Sequence, residues 1–165
     1  TGGKVTRLTH EQSQDVRPSW SRDGRWIYFG SNRTGRYEVW KVPSTGGAAL
    51  QVTRQGGREA LESADGKFLY FSKGGEGSGL WKMPVDGKDA VKILEEPRQG
   101  YWDVNERGIY FLAYSTGAIK FHDLDNNRTT DIMTVEGEVP WGIPGFSVSP
   151  DGRQILLSLM DRFEK

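Results

Sequence analysis

Residues 18–43, PSWSRDGRWIYFGSNRTGRYEVWKVP, decide the fold. Asp23-Gly24 is a hairpin signal, because the favoured two-residue turns need positive φ and glycine supplies it without steric cost. Trp26-Ile27-Tyr28-Phe29 follows, an aromatic and β-branched run too short for a helix and suited to a strand covered on both faces. Residues 31–36 are polar and read as the next loop. Residues 37–42 form a further strand, which Pro43-Ser44-Thr45-Gly46-Gly47 ends.

The same pattern returns along the chain. Asp65-Gly66 and Phe68-Leu69-Tyr70-Phe71 stand 42 residues after their first occurrence, and Leu80-Trp81-Lys82-Met83-Pro84 stands 41 residues after Val39-Trp40-Lys41-Val42-Pro43. Ile109-Tyr110-Phe111 comes 40 residues later again, with Trp102 falling where Trp20 does, while Glu62 replaces that tryptophan in between. Asn105-Glu106 takes the place of Asp-Gly there, so that turn must differ. After an insert at 136–145, Ser149-Pro150-Asp151-Gly152 and Ile155-Leu156-Leu157 restore the motif, 46 residues beyond Ile109. Upstream, residues 1–9 resemble residues 45–53 at an offset of 44. They read as the last strand of a preceding unit.

Four short strands per unit of roughly forty residues is the signature of an all-β fold, the β-propeller. Neighbouring blades cover both faces of each small sheet, which explains continuous apolar runs where a half-wet sheet would alternate. The expected organisation is one propeller segment over 1–165. Residues 1–10 are a last strand, 11–54, 55–95 and 96–136 complete blades, and 137–165 a partial one. The start at Thr1-Gly2-Gly3 reads as the interior of something longer. An open end leaves an apolar blade face in water, so self-association or a completing half of the ring is expected.

Composition sets the outer bounds. With 165 residues the chain can bury one substantial core, and 22 glycines with 12% aromatics suit short strands joined by turns. Basic and acidic residues balance at 22 each, which gives no electrostatic footprint for nucleic acid or an anionic membrane. Zero cysteines exclude a disulfide framework, thiolate zinc sites and cysteine catalysis. No apolar run approaches transmembrane length, so membrane insertion through a helix is not expected.

The string at 18–33, P-x-W-S-x-D-G-x-x-I-Y-F-x-S-x-R, resembles the blade repeat of the TolB-like, WD-repeat-like propeller family, and Ser149-Pro150-Asp151-Gly152 matches its S-P-D-G turn. The resemblance implies a bacterial propeller, with the periplasm favoured over the cytoplasm, that binds a protein or peptide partner, needs no cofactor and is not an enzyme. The same blades occur as sensor regions of larger proteins. They also form the non-catalytic gating propellers of prolyl-oligopeptidase-like serine peptidases, which is the alternative reading.

Several individual motifs have plainer structural readings. Gly145-Phe146-Ser147-Val148-Ser149 lacks the final glycine and the strand-to-helix turn of a nucleophile elbow. Asp123, Asp125 and Asn127 mimic a calcium loop, but Arg128 and Thr134 replace its essential glycine and glutamate. The glycine-rich 74–79 leads into a strand, so no helix N-terminus awaits a phosphate. His10 and His122 lie in different repeats, and Asn32-Arg33-Thr34 and Asn127-Arg128-Thr129 fit a glycosylation pattern that chance easily produces. Propeller geometry points instead to the connectors at 14–17, 56–59, 97–101 and 136–143, which cross the central face. The binding candidates there are Arg17, Arg58, Arg98 and Trp141, an arginine set plus an aromatic suited to an anionic or peptide ligand. Arg58 is also the first candidate partner for Glu62. The plainer reading pairs Arg58 with Glu59 or Glu62 and packs Trp141 between blades.

Overall fold

The computed structural model describes residues 3–75, 77–87, 89–140 and 144–160. Sheet 1 runs β1 (Asp15–Trp20), β2 (Trp26–Ser31), β3 (Glu38–Pro43) and β4 (Leu50–Gln51). Sheet 2 holds β5 (Glu59–Glu62), β6 (Phe68–Lys73), β7 (Gly79–Pro84) and β8 (Val91–Leu94). Sheet 3 holds β9 (Pro97–Val104), β10 (Gly108–Ala113), β11 (Ala118–Asp123) and β12 (Arg128–Thr134), and β13 (Phe146–Val148) pairs with β14 (Ile155–Leu157) in a fourth. In the three complete sheets strand order follows the chain, and every pairing is antiparallel. Residues 3–10 carry no strand, and Val5 is 95% exposed.

The second strand of each sheet explains the repeating apolar run. Along it, side chains alternate between faces. Leu69 and Phe71 pack back on Tyr28 and Val39 of sheet 1, and Ile109 and Phe111 pack back on Tyr70 and Leu80 of sheet 2. Ile155 and Leu157 likewise meet Tyr101, Leu112 and Ile119 of sheet 3. The intervening tyrosine, Tyr28, Tyr70 or Tyr110, is buried on the other side. Leu156 takes that tyrosine's place in the fourth sheet and is 74% exposed, while Trp20, across from Ile27 on the far face of sheet 1, is 63% exposed.

The Asp-Gly turns are longer than the two-residue hairpin the sequence suggests. Ser21 N–H donates to the Trp26 carbonyl at 2.9 Å, so four residues lie between the closing pair, and Gly24 takes φ +70 within them. Side chains hold the loop shut. The Ser21 hydroxyl donates to Asp23 Oδ1 at 2.7 Å and accepts from Trp26 N–H at 2.8 Å, and Asp23 also accepts from Arg25 N–H at 2.9 Å. Ser63-Asp65 and Ser149-Asp151 repeat the arrangement. The Arg25 N–H and the Ser21 hydroxyl hold the Asp23 carboxyl down at about 2. In sheet 3 the turn does differ. Asn105 Oδ1 accepts from the Arg107 and Gly108 N–H groups, and Asn105 N–H closes on the Gly108 carbonyl at 3.1 Å. This shorter turn corrects one alignment. Val104, across from Ile109, stands level with Trp20 and Glu62, and Trp102 lies two residues deeper, across from Phe111.

His122, across from Ile109, occupies the place of Val42 and Met83 in the other sheets. It is buried, its Nδ1 lies 3.0 Å from Thr129 Oγ1, and burial pushes its pKa down. A histidine held neutral in the fold and free to protonate when unfolded contributes stability that is complete above the unfolded pKa of about 6.5 and lost as pH falls below it. Urea midpoints should therefore fall between about pH 6.5 and pH 5. His122→Met should flatten that slope, and an unchanged slope would rule His122 out as its source.

Candidate functional site

The first strands of the sheets lie side by side, β1 against β5, β5 against β9 and β9 against β13, so they line a common axis. A bulge between Val16 and Ser19 and a left-handed backbone at Arg17 (φ 52) turn the Arg17 side chain toward sheet 2. There its Nε sits 3.2 Å from Glu59 Oε2. The other oxygen, Glu59 Oε1, accepts from Gly100 N–H at 2.6 Å and from Trp102 Nε1 at 2.5 Å. One buried carboxylate thus joins sheets 1, 2 and 3. Gly100 (φ +82) must be glycine, since a Cβ would run into the Arg17 guanidinium and Pro144.

Smaller stitches also link the inner strands. The Ser19 hydroxyl donates to the Ala60 carbonyl at 2.5 Å, and Asp103 Oδ2 accepts from Val148 N–H at 2.8 Å. Glu62 is buried and satisfied, but not by Arg58. Its carboxylate accepts from the Tyr28 hydroxyl and from Arg22 N–H, both at 2.7 Å. The Arg22 side chain donates to the Ser63 and Glu62 carbonyls. Burial and the Glu62 carboxylate push the Tyr28 phenol up, keeping it a donor.

Two contiguous cavities follow the axis. One of about 340 Å³ is bounded by Arg17, Glu59, Trp102 and Ser147; one of about 530 Å³ by Trp20, Arg22, Glu62 and Glu106. Ser19, Leu61 and Asp103 line both. The walls therefore carry carboxylates and guanidinium groups together, with an exposed indole at one end.

The structure brings two of the sequence-derived candidates to one place. Arg58 stacks on Tyr37 at 4.8 Å and donates to Gln99 Oε1 at 3.3 Å, beside the Gly100 that Arg17 abuts. It pairs with neither Glu59 nor Glu62. Arg98 points elsewhere, donating to the Val139 and Pro140 carbonyls at 3.1 and 3.5 Å with its guanidinium over Tyr101. Trp141 lies outside the described residues. The Ser147 hydroxyl reaches only Asp103 at 3.5 Å, and His122 is held inside sheet 3. Among the described residues no cluster of His, Asp and Glu could hold a metal ion. Sequence reasoning missed Glu59 as the junction. The available signal was an opposite charge, Arg17, one repeat period away.

Four-stranded sheets that succeed one another around an axis with their first strands innermost define a β-propeller. Residues 1–100 match the model of the TolB beta propeller domain (PD40), and the chain belongs to that family. It is 35% identical over 100 residues to the Tol-Pal system protein TolB of Anaeromyxobacter dehalogenans, a match covering 58% of this chain and 23% of that one. The structure of TolB from Acinetobacter baumannii aligns with a TM-score of 0.76 at 17% identity, over 95% of this chain and 40% of that one. A gluconolactonase of Xanthomonas campestris aligns at 0.72 with 10% identity, covering 94% and 58% respectively, so enzymes share the fold. The chain spans less than a quarter of the length of the curated relatives it matches.

Glu59→Ala removes the acceptor of two N–H donors and the partner of Arg17 at once. Breaking a buried ionic hydrogen-bonded site costs about 3 kcal/mol. Urea denaturation should show a loss of that order, and a loss under about 0.5 kcal/mol, the scatter of surface substitutions, would show the junction to be dispensable.

Proposed function

We propose that this segment is a non-enzymatic binding scaffold and that its recognition surface is the mouth of the axial cavity, where an extended segment of a partner protein docks. The observation that carries this is the pair of contiguous cavities between the inner strands, walled by charges of both signs that neighbouring groups hold in place. Fixed donors and acceptors in a concave site suit a peptide, whose backbone and side chains offer both. Arg17 and Arg58 are the recognition residues at the Gln99-Gly100 rim, Arg98 stands beside them in β9, and Trp141 stays a candidate from the sequence alone. Relatives named for the Tol-Pal system, as one of its proteins, support a protein as the partner. The balanced charge speaks against nucleic acid.

A photo-crosslinking residue at Ser19, inside the cavity, should capture one discrete partner from the parent bacterium, and the same residue at the exposed Asp125 should not. Arg58→Ala should reduce that capture at least roughly tenfold, the effect of losing a charged contact of about 1.4 kcal/mol. Equal capture from both positions would refute the axial site.

The chain should also turn over no generic ester or peptide substrate. Turnover that disappears on Ser147→Ala would make it an enzyme.

A further inference from the structure

A second cleft lies away from the axis, between the outer parts of sheets 1 and 2, with a volume of about 860 Å³. Gln51, Arg54 and Gly56 border it on one side and Lys73, Trp81 and Asp86 on the other. We propose that this cleft binds a small hydroxylated organic carboxylate, with Lys73 as the cation that receives the carboxylate.

The case rests on Lys73. It is only 8% exposed, at the end of β6, and its Nζ lies 3.6 Å from the centre of the Trp81 ring and 5.7 Å from that of Phe71. Among the described residues it makes no hydrogen bond or ion pair. The carboxylate that acts on it electrostatically, Glu38, is already engaged by Arg36 Nε at 2.6 Å, Thr53 Oγ1 at 2.7 Å and Gly56 N–H at 2.9 Å. Burial pushes the Lys73 pKa down; the Glu38 carboxylate opposes this, and the positive charges of Arg36 and Lys92 add to it. Among the described residues no carboxylate comes within ion-pair distance of this buried cation, so an anion in front of it would offset its desolvation. The cleft in front of it has room for one, and its volume lies in the usual range for a small-molecule site.

The other walls narrow the ligand. The exposed Arg54 offers a second cation on the sheet 1 side. Gln51 and Gln55 bring amides, and Asp86 and Asp89 present acceptors that suit hydroxyl groups and would repel a second anionic end. Free hydroxy acids and acidic sugars share this chemistry. This cleft is separate from the axial cavity, so neither reading depends on the other.

Calorimetric titration of the full chain with glycerate and with galacturonate, each carrying a single carboxylate, tests the proposal. At least one should bind one-to-one, and Lys73→Met, which keeps length while removing the charge, should weaken it roughly tenfold or more. Arg54→Ala, outside the core, should weaken the same ligand to a lesser degree. Binding of glycerate alone assigns the site to a free hydroxy acid, and of galacturonate alone to an acidic sugar. Failure of both at about 10 mM, far weaker than any Kd expected of a built site, would overturn the proposal. So would binding that Lys73→Met leaves unchanged.

Discussion

Three successive sheets meet on the carboxylate of Glu59. It is anchored in β5, takes the guanidinium of Arg17 from β1 and accepts two N–H groups from β9. Removing such a charge from water is offset only when both oxygens find donors and the cation is held in good geometry. That requirement reaches back into the local geometry. β1 must bulge and Arg17 must adopt a left-handed backbone to aim the guanidinium inward. Residue 100 must lack a side chain so that its N–H can approach. The inner strands are thus held by an ionic junction as well as by the apolar packing between sheets.

The apolar cores were legible in the sequence because they depend on local pattern. A run such as Phe68-Leu69-Tyr70-Phe71, too short for a helix and aromatic or aliphatic throughout, has to be a strand covered twice, and between sheets 1 and 3 it is. Turn geometry was half legible. Asp-Gly marks the turn, but its length is set by the Ser21 and Asp23 side chains folding back on the backbone. The shorter turn at Asn105 then moved Trp102 two residues out of the alignment that spacing suggested.

The site was less legible, because repetition fixes where a backbone lies and not what its side chain meets. Arg58 and Arg98 stand 40 residues apart in matching connectors, yet one finds the Gln99 amide and the other the carbonyls ahead of β13. Glu62 found its partners in the Tyr28 hydroxyl and a main-chain N–H, not in the nearest arginine along the chain. In each case the deciding acceptor or donor belongs to the neighbouring blade, some forty residues away, where no local pattern reports it.

The alternation along the second strands has a further consequence, one of direction. At each of the three sheet–sheet contacts the earlier sheet presents a tyrosine-bearing face and the later one an isoleucine- or leucine-bearing face, and the two faces are not interchangeable. Contacts of this kind are heterologous, so units add head to tail and a two-fold pairing of like faces has no complementary surface. Trp20 and Leu156 sit on opposite polarities of that series. Any blade that joins this segment, from the same chain or another, is therefore threaded in one sense only, and the sense of the series fixes the handedness in which a ring can close.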